Sequence, residues 1–202
     1  MKEIIIASTN PAKIFQIKSA LKLVGIEADG PKETLPEVVE DGKTLIENAT
    51  KKAKSAAKFL NRTVLAMDNG LYFDGLKDKE QPGSRIRRIP GIEGRRPSDE
   101  ELLEYYSKLI KSLGDKVGGS YRFGVCVATP EGKVWTTEIN ESRRTFTAKA
   151  CKEITPGYPI ESLAINPKNG KYIAQMSEVE KEIFWQETTG EALEKFIKSI
   201  EI

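Results

Sequence analysis

The 202-residue chain is 39% hydrophobic and 31% charged, enough to bury a sizeable core, and its net charge of +2 sets up no global field towards nucleic acid or membrane. It has no histidine, which excludes Ser-His-Asp and Cys-His nucleophiles, imidazole bases and histidine-held metals, and its two cysteines, Cys126 and Cys151, form no C-x-x-C pair. Any chemistry must use carboxylates, lysine, arginine and an oxygen-preferring ion, Mg²⁺ or Mn²⁺.

Ile4-Ile5-Ile6-Ala7 reads as a strand buried on both faces. A helix follows from about Pro11 to Val24, with Ile14, Ile17, Leu21 and Val24 at helical spacing. Ser8, Thr9 or Asn10 can cap it, and a helix N-terminus above a strand end, with Lys13 one turn in, is a candidate anion site. Ile26-Glu27-Ala28 is a short second strand. The stretch from Gly30 to Lys43 reads as an acidic loop, and of its carboxylates Glu37 is the expected metal ligand at the mouth of a site, set against an ordinary solvated loop.

A second helix is expected from about Lys43 to Leu60. Its apolar stripe of Leu45, Ala49, Ala53, Ala56 and Leu60 also carries Asn48 and Lys52, one turn apart. Polar groups on a core-facing stripe need partners, so Lys52 either reaches past the alanines to water or serves an anion. Val64 to Met67 reads as a buried strand ending in Asp68-Asn69-Gly70, with Leu71 to Leu76 returning as a hairpin arm. An acid at the end of such a strand is in the usual place for a site residue.

Lys77 to Pro97 is rich in glycine, proline and arginine (Arg85, Arg87, Arg88, Arg95 and Arg96), fit to close on a polyanion. It lacks the interleaved aromatics of a nucleic-acid surface. Ser98-Asp99-Glu100-Glu101 opens a third helix to about Leu113 as a capping box. Gly118-Gly119 are expected to separate it from a β-rich block: Tyr121–Ala128, Val134–Ile139 and Arg143–Ala148. Lys171–Met176 is an expected edge strand, Glu178–Phe184 a short helix and Gly190–Ile200 a final helix. Gly42-Lys43-Thr44 is not a P-loop, because Glu37 stands where the first glycine is needed. No run approaches about 20 apolar residues, and the first apolar run is too short for a secretory signal, so a cytoplasmic protein is expected.

Ser8-Thr9-Asn10-Pro11-Ala12-Lys13, Glu47-Asn48-Ala49-Thr50-Lys51-Lys52-Ala53 and Leu65-Ala66-Met67-Asp68-Asn69-Gly70-Leu71 resemble, in order and spacing, the N-terminal motifs of the inosine/xanthosine triphosphate pyrophosphatase family. Pro82-Gly83-Ser84 followed by arginines, Gly157-Tyr158, and Ala174-Gln175-Met176-Ser177 to Lys181 resemble its later segments. The resemblance implies an α/β fold: one domain over residues 1–202, an elongated mixed sheet flanked by helices, in two lobes around a central cleft. It implies a homodimer that uses Mg²⁺, or Mn²⁺, to split a nucleoside triphosphate into monophosphate and pyrophosphate. Asp68 and Lys52 would be catalytic, and Glu37 and Asp68 would hold the metal. Ser8, Thr9, Asn10, Lys13, Asn48, Asn69, Gly70, Arg85, Tyr158 and Lys181 would contact substrate.

Three departures from the family's pattern bear on substrate. Met67 and Asn69 replace an aspartate and a serine around Asp68, Pro159 replaces the aspartate after Gly-Tyr, and Glu187-Thr188-Thr189 stand where a base-reading Ser-His-Arg is expected. Altered base choice is the expectation. A nucleotide-binding protein that has lost catalysis is the alternative, and a nucleic-acid module built on the arginine segment ranks behind both.

Overall fold

The computed structural model describes residues 3–200. Six strands, β1 (Glu3–Ile6), β2 (Glu27–Asp29), β3 (Val64–Phe73), β4 (Lys116–Ala128), β5 (Val134–Thr147) and β6 (Ala164–Ile165), form one sheet in the order β2-β1-β3-β4-β5-β6. β1 is parallel to β2 and β3, whereas β6 is antiparallel to β5, so the sheet is mixed as expected. The helices are α1 (Pro11–Lys22), α2 (Leu45–Leu60), α3 (Asp99–Ser112), α4 (Glu178–Trp185) and α5 (Glu191–Lys198). Among the described residues no helix is long and apolar enough to cross a membrane.

The chain divides into two compact units. One holds the chain up to Asn69, Arg122–Glu141 and the chain from Glu182; the other holds Gly70–Tyr121 and Ser142–Lys181. In the first, strand alternation sorts the opening isoleucines. Ile5 joins the alanine face of α2 (Ala49, Ala53, Ala56, Ala57) with Val64, Ala66, Cys126 and Ala128. Small residues let α2 lie close: a Cβ on Gly124 would sit 2.3 Å from the backbone carbon of Leu45. α1 buries Ile17, Ala20 and Leu21 and packs on α5.

In the second unit Phe73 meets Phe146 edge-on, with ring centroids 5.0 Å apart, and Tyr106 of α3 packs beside them. The Tyr106 hydroxyl donates to the Ile86 carbonyl at 2.8 Å, which fastens the arginine-rich segment to α3. Two of that segment's five arginines are committed to acids, Arg87 to Asp99 and Arg95 to Glu101. Arg95 holds the Glu101 carboxyl down at about 2.

Four expectations are corrected. Asp68-Asn69-Gly70 is no turn: β3 runs straight through it, and neither Asn69 nor Gly70 adopts the positive φ that a two-residue Asn-Gly turn requires. Leu71 instead exchanges two 3.0 Å backbone hydrogen bonds with Gly83. Gly118 and Gly119 lie inside β4; a Cβ on Gly119 would meet the Tyr72 carbonyl at 2.7 Å and the Phe146 ring at 2.9 Å, so close approach explains the glycine. The strands expected at Val134–Ile139 and Arg143–Ala148 are one strand, β5. Lys171–Met176 is a 3₁₀ turn (Ile173–Gln175) with a single bridge from Tyr172 to Ile165, because the tight turn at residues 166–170 leaves arms too short for a ladder.

Candidate active site

The β1–α1 junction resolves which residue caps α1. Asn10 Oδ1 accepts from the N–H groups of Ala12 (3.0 Å) and Lys13 (3.4 Å), and Ser8 Oγ accepts from Asn10 N–H at 3.1 Å. The cap thus occupies N–H groups that a bare helix terminus would offer an anion, and the positive charge here comes from the Lys13 side chain. Its Nζ donates to the Met67 carbonyl of β3 at 3.2 Å. Thr9 is exposed between the two.

Helix α2 supplies the facing groups. Thr44 caps it by accepting from Glu47 N–H at 3.1 Å, and Glu47 accepts in return from Lys43 N–H at 2.7 Å. This fixes where Asn48 and Lys52 leave the helix. Asn48, 2% exposed, accepts from Gly42 N–H at 2.8 Å through Oδ1 and donates to Asp68 Oδ2 at 3.2 Å through Nδ2. A Cβ on Gly42 would lie 2.6 Å from Asn48 Oδ1, so this link needs glycine. Lys52 Nζ donates to Asp68 Oδ1 at 2.8 Å and to Glu40 Oε2 at 3.3 Å, and next to it Lys51 pairs with Asp41.

Asp68 is therefore the hub. It is 5% exposed in mid-strand, and burying a lone carboxylate costs several kcal/mol unless a cation and donors meet it. Lys52 and Asn48 do. Alternation along β3 puts Asp68 on the face of Ala66, towards α2, and Met67 and Asn69 on the other. The structure brings Asn48, Lys52 and Asp68 together, as the helix stripe and strand position suggest, and sets the Lys13 ammonium on the carbonyl of the preceding residue, Met67. Glu37 lies exposed on its loop, and the loop carboxylate that meets Lys52 is Glu40, which sequence reasoning missed. Among the described residues no group of three or more His, Cys, Asp and Glu side chains could hold a metal ion. The acids at Lys52 are a pair.

The remaining expected substrate residues, Gly70, Arg85, Tyr158 and Lys181, belong to the second unit. Gly70 is buried, Arg85 exposed and Tyr158 half-buried. Lys181 Nζ donates to Thr155 Oγ1 at 3.1 Å and lies 3.9 Å from the buried Glu161. Burial pushes the Glu161 carboxyl above its usual range, although Arg144, Thr155 and Lys181 pull it down. The Arg144 guanidinium, also buried, stacks 4.5 Å over the Tyr121 ring, whose hydroxyl burial raises to about 12. Nothing in the sequence around Pro159-Ile160-Glu161 marked this glutamate as buried. Arg87 donates to the Gly157 carbonyl at 3.2 Å, which ties the arginine-rich segment to the Gly-Tyr segment. In the first unit, Glu187-Thr188-Thr189 lie in a π-helical turn, Gln186–Gly190. Thr188 bonds back to the Phe184 carbonyl at 2.7 Å and Thr189 is 1% exposed.

Comparison with known proteins bears on this site. The sequence model of the Ham1 family matches residues 4–199. The dITP/XTP pyrophosphatase of Staphylococcus aureus (strain MW2) is 33% identical over 186 residues, covering 90% of this chain and 88% of that one. The protein of the same name from Desulfotalea psychrophila is 31% identical over 184 residues, 88% of this chain and 77% of that one. Among solved structures, a HAM1 protein from Coxiella burnetii superposes with a TM-score of 0.72 at 20% identity, over 99% of this chain and 100% of its own. The Staphylococcus aureus Ham1 protein gives 0.65 at 26%, over 98% and 99%.

Proposed function

Because the chain belongs to the Ham1 family, we propose that it hydrolyses a nucleoside triphosphate to the monophosphate and pyrophosphate, with Asp68 at the reacting centre. The observation that carries this reading is the convergence of two lysines on adjacent residues of β3, Lys13 on the Met67 carbonyl and Lys52 on Asp68. One ammonium on a buried carboxylate and a second on the carbonyl of the residue before it suit a polyanion undergoing attack by water.

A divalent cation fits the Glu40–Asp68 pair. Both offer hard carboxylate oxygens, and a cationic ammonium already reaches one oxygen of each. Mg²⁺ is commonly held by one or two carboxylates with phosphate oxygens and water completing its shell, so Mg²⁺ is the proposed ion, with Mn²⁺ as substitute. Glu40 replaces Glu37 in this role. When bound, such an ion neutralises phosphate charge and polarises the phosphoryl oxygens.

The chain's own residues do the rest. Asp68 orients a water molecule and takes its proton on a carboxylate oxygen as the water oxygen bonds to the α-phosphorus. The bond from that phosphorus to the bridging oxygen breaks, and pyrophosphate leaves. Lys13, Lys52 and the hydroxyls of Ser8 and Thr9 hold the phosphates, while Asn10 fixes the turn that aims Lys13. Asn48 acts on Asp68 rather than on substrate. Positioning and charge neutralisation suffice for phosphoryl transfer, so no covalent intermediate is needed. Asn69, Gly70, Arg85, Tyr158 and Lys181 are proposed as further substrate contacts.

The relatives are named for dITP and XTP. Here Glu187-Thr188-Thr189 stand in place of the family's base-reading residues, and altered or relaxed base choice is proposed. Met67 favours the second reading, nucleotide binding without catalysis. Strand alternation weakens it, because Met67 and Asp68 point to opposite faces. A cytoplasmic homodimer completes the proposal, its assembly measurable by light scattering. The deciding experiment is a panel of triphosphates, dITP and XTP among them, with pyrophosphate detection in Mg²⁺ and in Mn²⁺. Turnover of at least one supports hydrolysis; triphosphate binding with no turnover anywhere on the panel selects the second reading.

A further inference from the structure

The Lys52 ammonium holds one oxygen of each acid in the pair, Asp68 Oδ1 at 2.8 Å and Glu40 Oε2 at 3.3 Å. The two side chains at the tighter contact are 16% and 7% exposed, so water screens it weakly. Asp68's other oxygen is engaged by Asn48, and Asn48 is tied to the Gly42 amide. Asp68 therefore cannot turn a different oxygen towards a second cation without breaking a buried hydrogen bond. A divalent ion that takes Asp68 without breaking that bond must take the oxygen that Lys52 holds, against the same ammonium that reaches Glu40.

We propose that Lys52 is the resident counter-cation of the Glu40–Asp68 pair, that a divalent ion and the ammonium compete for Asp68 Oδ1, and that a triphosphate resolves the competition by accepting the displaced ammonium. The proposal rests on the reading of this site as a metal-assisted triphosphate site. Two cations cannot share Asp68 Oδ1 without mutual repulsion, so an ion arriving alone must send Lys52 into water. With a triphosphate present, the same ammonium moves from carboxylate to phosphate. The lysine's four-carbon stem allows the move without shifting α2. By linkage, whatever factor the phosphate gains from the ion through Lys52, the ion gains from the phosphate.

The test measures Mn²⁺ binding to the whole protein by the paramagnetic resonance signal of free Mn²⁺, with no turnover required. Without nucleotide, Lys52→Met is expected to bind Mn²⁺ about tenfold more tightly than the unmutated protein, within the usual range of couplings between sites. Lys51→Met removes a neighbouring charge that holds Asp41 instead, and is expected to leave the affinity within about twofold, well below that coupling range. With a triphosphate analogue carrying a methylene α–β bridge, the advantage of Lys52→Met should vanish or reverse, a comparison in which the nucleotide's own chelation cancels.

The proposal is overturned if Lys52→Met binds Mn²⁺ alone no more tightly than the unmutated protein, if Lys51→Met tightens it equally, or if the advantage survives the analogue. Lys52→Gln serves if the Met variant does not fold. In either variant Mn²⁺ should raise the unfolding midpoint by more than in the unmutated protein. Should no triphosphate be hydrolysed, the pyrophosphatase reading fails, while the nucleotide-free Mn²⁺ comparison still decides the role of Lys52.

Discussion

Lys52 Nζ and Asp68 Oδ1 meet at 2.8 Å, one side chain from the fourth position of an alanine-lined helix stripe and the other from the middle of a ten-residue strand. The pair exists because the stripe is small: Ala49, Ala53 and Ala56 bring α2 close enough to β3 for a lysine to reach a mid-strand carboxylate. Replacing Asp68 by Asn keeps shape and Asn48 contact but removes the proton acceptor. Turnover should fall by about 10²- to 10⁴-fold, the usual worth of a positioned base. Triphosphate binding, followed by calorimetry, should persist. Full activity in this variant would remove Asp68 from the reaction.

Asn48 is the joint between the acidic loop and the strand. Asn48→Ala leaves the Gly42 amide and Asp68 Oδ2 without their partner, and an unmet buried polar group costs about 1–3 kcal/mol. For a chain of this length that corresponds to a drop of roughly 2–12 °C in the unfolding midpoint. Activity should fall with it, since Glu40 and Asp68 are no longer held to one another through the loop. An unchanged midpoint by scanning calorimetry would show that the joint bears no load.

Much of this site is legible in the order of residues, for a physical reason. Asn48 and Lys52 interrupt an apolar helical stripe, and an acid follows a buried β-branched run; both are periodic signals that survive without coordinates. Asn69-Gly70 misled because turn propensity is local, whereas the continuation of β3 is imposed by its neighbour β4, which is thirteen residues long. The acidic loop has no period, so nothing distinguished Glu40 from Glu37 until the Gly42–Asn48 link fixed its end. Glu161 was invisible for a related reason: its burial depends on a 3₁₀ turn, Pro159–Ser162, packed under α3.

The choice between the two loop carboxylates can be tested directly. Glu40→Gln keeps the side chain's length but loses a negative charge beside Lys52. The divalent-ion concentration needed for half-maximal turnover should rise at least about tenfold, in keeping with the loss of one of two carboxylates on a hard cation. Glu37→Gln, three residues earlier on the same exposed loop, should leave that concentration within about twofold, well short of the shift expected for a lost ligand. The opposite ranking in a Mg²⁺ titration would return the metal role to Glu37.

Gly124 lies under the first turn of α2, where an added Cβ would come within 2.3–2.5 Å of the Leu45 and Ile46 backbones. Backbone cannot yield as a flexible side chain does, so Gly124→Ala must push α2 away from β4. Overpacking of this kind costs about 1–3 kcal/mol. The displaced turn carries Asn48 and leads to Lys52, so turnover should fall more than stability alone explains. A variant that unfolds at a lower urea concentration yet keeps full activity below its transition would show that the site tolerates movement of α2.

Glu161 gives a pH signature in the second unit. Its pKa is raised from 4.5, first by burial, against the pull of Arg144, Thr155 and Lys181. A carboxyl with a raised native pKa binds more protons folded than unfolded between the two values, so its contribution to stability is full below pH 4.5 and is lost as pH rises through the native value. Glu161→Gln stays neutral throughout, so its stability relative to the unmutated protein should increase as pH rises from 4.5 towards the native value and level off beyond it. Urea midpoints measured from acid to neutral pH test this. The sign of the slope decides: a Gln variant that loses ground as pH rises would mean that Arg144 and Lys181 outweigh burial and hold Glu161 ionised.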